Sequence, residues 1–423
     1  MKITVPDSKH PRIVVIGAGF AGIHFIKKFK NKPYQIILLD KNNFHQFPPL
    51  FYQVATSGLE PDSIVFAIRK MFQQYDNLSF RMGEVTQINS AEKTVHTTIG
   101  EISYDHLVIA TGSTNNFYGL KDVEQHSLGL KDIQESLDIR SHLLQNMEQA
   151  VTSPIDSKDI TPLLNVVIVG GGPAGIEMAG ALAEFKRYVF KKDYPDVPQD
   201  KLQIYLIEAS GRLLGAMSEK SQKESLDYLH NLGINVMLNT QVTSYDGTIV
   251  GLSGKESIKA KTLLWTAGVK GQFPSGIDSQ YIVAGNRIAV DAINQVKGLT
   301  NIYAIGDVAL MNTEAFPKGH PMVAQTAIQQ GAHLAKNIIK NSTKPFKYND
   351  KGSLATIGMK KAVADLNKFH FKGYFAWFIW STVHLMSISG FRNRLIVGIN
   401  WMSSYFSYDK SNRLIIRKFK KSS

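Results

Sequence analysis

Cysteine is absent from all 423 residues. That zero excludes disulfides, thiolate-ligated zinc, protein-held iron–sulfur clusters, thiol nucleophiles and CxxC redox shuttles. Electrons moved by such a chain must travel on a bound cofactor. Acidic residues are also few, 35 against 48 Lys plus Arg, for a net charge of +13. With 43% hydrophobic and 20% charged residues, a disordered chain is excluded. The length predicts two or three domains. No signal-peptide h-region follows Met1, since the first apolar run, Ile13 to Ile16, leads straight into glycines. A cytoplasmic location is therefore expected for the bulk of the chain.

The excess positive charge is local. Residues 341–423 hold 15 Lys or Arg and 3 Asp or Glu, so the preceding 340 residues are close to neutral. The same segment carries three of the four tryptophans, Trp377, Trp380 and Trp401. Aromatic and basic residues interleaved with uncharged stretches suit an anionic lipid surface better than nucleic acid, because Trp and Tyr settle at headgroup level and basic side chains snorkel there.

What is present begins with RIVVIGAGFAG, residues 12–22. A β-branched run reads as a buried parallel strand. It feeds Gly17, Gly19 and Gly22 at GxGxxG spacing, then a helical stretch. A second strand, Tyr34 to Leu39, ends at Asp40. In this context Gly17 makes the tight turn, Gly19 admits a pyrophosphate, Gly22 packs helix on strand, and Asp40 accepts from a ribose hydroxyl.

The pattern then recurs. NVVIVGGGPAGIE, residues 165–177, repeats it with Gly170, Gly172 and Gly175, and the strand Leu202 to Ile207 ends at Glu208. The interval from last glycine to acid is 33 residues here and 18 in the first copy. The excess matches FKRYVFKKDYPDVPQDK (185–201), expected as a surface excursion. Each half closes on a similar strand and turn, HLVIATGS (106–113) and TLLWTAGV (262–269). Two similar α/β units, each a Rossmann-like dinucleotide fold, follow from this repeat. NIYAIGDVA (301–309) has no glycine fingerprint of its own, so it is expected to return to the first domain and leave that domain discontinuous. Two dinucleotides in one chain imply a resident flavin and a visiting nicotinamide.

The paired fingerprints, the ATGS turn and the late Gly306-Asp307 resemble the two-dinucleotide flavoprotein superfamily over roughly residues 10–345. The resemblance implies FAD at Gly17, Gly19, Phe20, Gly22, Asp40, Val85 (through its backbone), Ala110, Thr111, Gly112, Gly306 and Asp307. It implies NADH at Gly170, Gly172, Pro173, Gly175, Glu177, Glu208, Ala267 and Gly268. A carboxylate at Glu208 favours a free ribose 2′-hydroxyl over a 2′-phosphate, hence NADH over NADPH, with Arg212 near enough in sequence to weaken the preference.

Lack of cysteine excludes the superfamily's thiol-disulfide and sulfide:quinone reductases. The string NNFHQFPPLFYQVATSG (42–58) resembles the HxFxPLLYQVA signature of type II NADH:quinone oxidoreductases, the non-proton-pumping single-subunit enzymes. The match lies at His45, Phe47, Pro49, Leu50, Tyr52, Gln53, Val54 and Ala55, with Phe51 replacing a leucine. PMVAQTAIQQG (321–331) is similar to the family's AQxAxQ quinone-site motif at Ala324, Gln325, Ala327 and Gln329. The resemblance thus implies hydride transfer from NADH to FAD N5, then two-electron reduction of a membrane quinone, with Glu177 and Gln325 in catalytic roles. His45, His320 and His384 are assigned no catalysis. A soluble NADH:ferredoxin or acceptor reductase of the same fold, and an FAD/NADH-binding redox-sensing scaffold, are the alternatives. No metal site is expected.

Gly373 to Phe391 is 19 residues without a formal charge, about 28 Å as one helix and close to a bilayer's hydrocarbon thickness. Its Ser, Thr, His and Gly content favours an in-plane, monotopic anchor over a span. Leu395 to Tyr408 and the basic end RKFKK (417–421) complete what resembles the family's paired C-terminal membrane helices. The expected domains are 1–118 and 285–344 for FAD, 119–284 for NADH, and 345–423 for membrane attachment and quinone access. The enzyme is expected at the cytoplasmic face of the membrane, and the resemblance implies a homodimer.

Overall fold

The computed structural model describes residues 1–152, 160–407, 410 and 412–419. Tyr408, Lys420 and Lys421, named above, lie outside the described residues. The helices used below are α1 (Phe20–Ile26), α2 (Phe51–Ala55), α3 (Pro173–Glu184), α4 (Glu219–Asn231), α5 (Ala324–Lys340), α6 (Gly373–Ser387) and α7 (Phe391–Ser407).

The chain forms two compact units. One comprises residues 1–45, 66–114 and 269–350, the other 46–65, 115–268 and 351–423. In the first unit five parallel strands lie in the order Ile302–Ala304, His106–Ile109, Arg12–Ile16, Gln35–Asp40, Leu78–Met82. The returning strand at Ile302 sits at the edge beside His106–Ile109, as the late GD element requires. Alternate residues of these strands enter two cores. Val14, Ile16, Ile37 and Leu39 join the cluster on one face, and Ile13, Val15, Ile36 and Leu38 join that on the other. Burial on both faces is why the strands read as unbroken apolar runs without alternation.

The second unit repeats the plan. Its sheet runs Leu128–Gly129, Thr262–Trp265, Val166–Val169, Ile204–Ile207, Asn235–Met237, again all parallel. Both units also carry a three-stranded antiparallel sheet, Val85–Ser103 just before the strand His106–Ile109 in one and Val242–Lys259 just before Thr262–Trp265 in the other.

Three features differ from the sequence-based expectations. Residues 185–201 are not a surface excursion. Helix α3 continues through a π-helical turn at Phe185–Phe190, and Phe185, Val189, Phe190, Tyr194 and Val197 are buried. The Lys and Pro content hid this apolar face. Secondly, residues 345–350 stay with the first unit, where Phe346 enters the core and its N–H donates to Ala292 O at 2.8 Å. Residues 351 onward belong with the second unit, as do residues 46–65.

Thirdly, the uncharged stretch from Gly373 is not one helix. It breaks at Ile388–Gly390, where Ile388 is extended and Gly390 has a φ of +87°. Helix α6 is 15 residues, about 22 Å, well short of a hydrocarbon core of about 30 Å. Among the described residues no helix is long and apolar enough to cross a membrane.

Candidate functional site

The two glycine fingerprints match atom for atom. Gly17 N–H donates to Leu39 O at 2.8 Å, and Gly170 N–H donates to Ile207 O at 2.8 Å. Both glycines need positive φ, +103° and +112°, which an L side chain rarely adopts. A Cβ on Gly22 would strike Gly17 O, and one on Gly175 would strike Gly170 O. By contrast, a Cβ on Gly19 or Gly172 would meet no protein atom within 4 Å. Each of these two glycines N-caps its helix in extended conformation, with no side chain capping the first N–H groups. Pro173 occupies a first-turn position whose N–H is not needed. Two open cradles with uncapped helix N-termini therefore stand ready for a pyrophosphate.

The acids are equally alike. Asp40 accepts from Ala18 N–H (2.7 Å) and Asn42 N–H (2.7 Å). Glu208 accepts from Gly171 N–H (2.6 Å) and Ser210 N–H (2.7 Å). Each carboxylate is thereby fixed beside its glycine loop with lone pairs left over for a ribose. Burial pushes the Asp40 carboxyl upward, partly opposed by those two N–H groups.

The remaining residues assigned to FAD all lie in the first unit. Ala110 backs Gly17 and Gly22, and Thr111 Oγ1 donates to Gln272 O. Asp307 accepts from Ser113 Oγ at 2.7 Å. The Val85 side chain belongs to the core, and its backbone begins the antiparallel ladder opposite Thr97. In the second unit Gly268 faces Tyr118, whose hydroxyl donates to Ala267 O at 3.1 Å.

The AQxAxQ residues are also in the first unit, on α5, and their contacts are partly structural. Gln329 clamps the following strap, donating to Asn349 O and accepting from Asn349 N, both at 2.9 Å. Ala327 packs against Gly306. Gln330, not singled out by sequence, is buried and accepts from Gly306 N–H at 2.7 Å, which fixes the turn before Asp307. Gln325 is half-buried, and its amide reaches Asp350 at 3.4 Å.

The three histidines donate Nδ1–H to carbonyls, the only role a carbonyl permits: His45 to Ala18 (2.9 Å), His320 to Met311 (3.1 Å), His384 to Trp380 (2.8 Å). Burial lowers all three, His45 and His384 to about 4, so both are neutral near pH 7.

Sequence reasoning did not find the cavity of the second unit. It encloses about 630 Å³ including its open mouth, and Tyr52, Gln53, Glu184, Trp380, Trp401 and Lys410 are among its walls. Gln53 fixes two of them, accepting from Trp401 Nε1 (2.8 Å) and donating to the Tyr52 hydroxyl (2.9 Å). That hydroxyl lies 3.1 Å from Thr356 Oγ1. Trp380 is 1% exposed and stacks on His384 at 4.1 Å. Behind it, Glu177 is buried in the body of α3. Desolvation pushes its carboxyl up to about 8, partly countered by the Thr356 backbone N–H and the Trp380 indole. A Cβ on Gly180 would strike Gly358 N, so this glycine lets the Thr356–Gly358 backbone lie against α3. The outer faces of α6 and α7 expose Phe375, Phe378, Met386, Phe391, Leu395 and Ile399.

Two dinucleotide folds in one chain, without a thiol to carry electrons, define a nucleotide-dependent oxidoreductase. The pyridine nucleotide-disulphide oxidoreductase family matches residues 11–331, and the NDH2 C-terminal domain matches residues 351–407. Two curated proteins of Mycobacterium tuberculosis are similar over nearly the whole chain. Type II NADH:quinone oxidoreductase NdhA is 31% identical, covering 93% of this chain and 87% of its own. Type II NADH:quinone oxidoreductase Ndh is 30% identical, covering 95% and 89%. NDH2 from Plasmodium falciparum, solved in complex with NADH, superposes with a TM-score of 0.88 at 22% identity, covering 97% of this chain and all of that one. The chain belongs to the pyridine nucleotide-disulphide oxidoreductases and, within them, to the type II NADH:quinone oxidoreductases.

Proposed function

We propose that this chain is a peripheral membrane NADH:quinone oxidoreductase that holds FAD in its first unit and NADH in its second. FAD, when bound, supplies a two-electron carrier between the hydride donor and the quinone. For binding, Gly17, Gly19 and Gly22 form the cradle for its pyrophosphate, and Asp40 takes a ribose hydroxyl. Gly170, Gly172, Gly175 and Glu208 do the same for NADH. Fixed by Gly171 and Ser210, the Glu208 carboxylate repels a ribose 2′-phosphate and selects NADH. Gln325 and Glu177 act in quinone reduction and proton handling.

One observation carries the membrane part of the reading. The helices that line the cavity with Trp377, Trp380 and Trp401 also expose an apolar stripe on their outer faces. Such a stripe suits helices lying in the plane of a bilayer, with the basic residues of the C-terminal segment at anionic headgroups. A quinone dissolved in lipid then reaches the cavity without crossing water. The attached face is taken as the cytoplasmic one.

The test uses the full chain, purified with its flavin and mixed with liposomes containing a quinone. Flotation with the vesicles and quinone-dependent NADH oxidation are expected together. Complete retention in the aqueous phase overturns the membrane reading. NADH oxidation supported by a soluble ferredoxin but not by quinone overturns the acceptor.

A further inference from the structure

Helix α3 carries a second acid that the reading above leaves unused. Glu184 lies seven residues after Glu177, two helical turns on and so on the same face. Gly180 and Ala181 between them keep that face low. Glu184, Ala181 and Lys410 line the cavity. Lys410 Nζ donates to Ala181 O at 2.9 Å and stands 3.8 Å from Glu184 Oε2. The other Glu184 oxygen accepts from Met359 N–H. The two side chains are only 11% and 14% exposed, so this is a buried ion pair set in the wall of a cavity, where two solvated charges have been given up.

We propose that the Glu184–Lys410 pair delivers the solvent proton consumed in quinone reduction, with Lys410 as the donor and Glu184 as the residue that positions it. The proposal rests on the quinone-reductase reading. NADH + H⁺ + quinone gives NAD⁺ + quinol; the hydride brings two electrons and one proton, and one more proton must come from solution. Lys410 has three N–H donors; Ala181 O takes one, and Glu184 stands off at ion-pair distance, 3.8 Å. Its N–H bond breaks as an O–H bond forms on the quinone oxygen, and water at the cavity mouth reprotonates the amine. The lysine is neither oxidised nor reduced.

Charge and burial fit this role. Burial lowers Lys410 and Glu184 opposes that, while burial raises Glu184 against the pull of Lys410 and Met359. Tyr52 is the other titratable group in the cavity wall and feels both Glu184 and the more deeply placed Glu177, and burial raises its phenol well above the ordinary range. Neither neighbour can carry a positive charge, so Lys410 is the one basic group among these four.

The experiment compares Lys410→Arg, Lys410→Met and the double variant Glu184→Gln/Lys410→Met with the holoenzyme. The double variant removes the pair without stranding a buried charge. Two readouts are taken: quinone binding without NADH, by quenching of tryptophan fluorescence, and kcat for quinone as a function of pH. First, the wild type must bleach its flavin with NADH and reduce quinone; if it does not, it is the functional reading that fails. Given that, quinone affinity within about threefold of wild type is expected in every variant. A kcat lower by about 100-fold is expected for all three, because general acid help is worth that much. Lys410→Arg is decisive, since a guanidinium keeps the charge but does not release a proton. Wild-type kcat in Lys410→Arg, or a wild-type pH profile in the double variant, overturns the proposal.

Discussion

Glu177→Gln tests the energetic reading of helix α3. Glu177 is buried, and its carboxyl is raised from 4.5 to about 8. Between those values the folded chain keeps a proton that the unfolded chain has released. Stability is therefore full below pH 4.5 and is lost as pH rises towards 8. Each pH unit in that window removes about 1.4 kcal/mol. At pH 7 the loss is about 3 kcal/mol, and at pH 5 it is below 1 kcal/mol. Glutamine keeps the shape and an acceptor for the Thr356 N–H but has nothing to titrate. Glu177→Gln is thus expected to be more stable than wild type by about 3 kcal/mol at pH 7, with the gap closing towards pH 5. All four tryptophans, Trp265, Trp377, Trp380 and Trp401, lie in the second unit, so urea unfolding followed by their fluorescence reports on the right part of the chain. Taking the difference between the two proteins cancels the other titrating groups. A gap of equal size at pH 5 and pH 8 would refute the argument that a neutral carboxyl is held there by burial.

Other substitutions probe the remaining sites. Gly19→Ala adds a methyl that meets no protein atom within 4 Å at an ordinary φ of −74°. It should fold normally and yet retain less flavin, as read by absorbance after gel filtration; full flavin content would place the pyrophosphate elsewhere. Glu208→Gln removes the charge at the ribose, and the NADPH to NADH ratio of kcat/KM should rise about tenfold. An unchanged ratio counts against Glu208 as the selector. Phe378→Asp or Phe391→Asp should each lower vesicle binding about tenfold, the worth of one exposed phenyl group entering lipid. Equal flotation of wild type and both variants would remove these helix faces from the membrane.

The first and second fingerprints were legible because their glycines answer to local geometry. A positive φ at Gly17 and a backbone oxygen under Gly22 are demands that only glycine meets, so they surface as a fixed spacing. Repetition then supplied the fold, since the same strand, turn and acid at 12–40 and 165–208 build the same sheet twice. Segment 185–201 shows the limit of composition. Lys186, Lys191 and Lys192 mark the outer side of a helical run whose other side carries Phe185, Val189 and Phe190 into the core, and its prolines fall in the turn that follows.

The cavity was illegible for a different reason. Its walls come from α2, α3, the strand ending at Thr356, and the two C-terminal helices, which are separated by up to 350 residues and have no spacing to betray them. Tyr52 and Gln53 were visible as part of a family string, and the tryptophans as a count, but nothing in the string says that Gln53 ties Tyr52 to Trp401. The signature is also divided by the fold. His45 belongs with the first unit, where it holds the Ala18 carbonyl of the glycine loop, while Tyr52 and Gln53 belong with the second. A run of eleven residues, 45–55, thus serves two purposes, fixing one nucleotide cradle and walling one cavity. That double duty constrains the string without any of its side chains having to do chemistry. The clue to chemistry lies instead on α3, where Glu177 and Glu184 share a face and, among the described residues, only Glu184 forms an ion pair. Burial raises both acids, and a cation opposes it at Glu184, a difference that sequence spacing allows and only the three-dimensional placement of Lys410 produces.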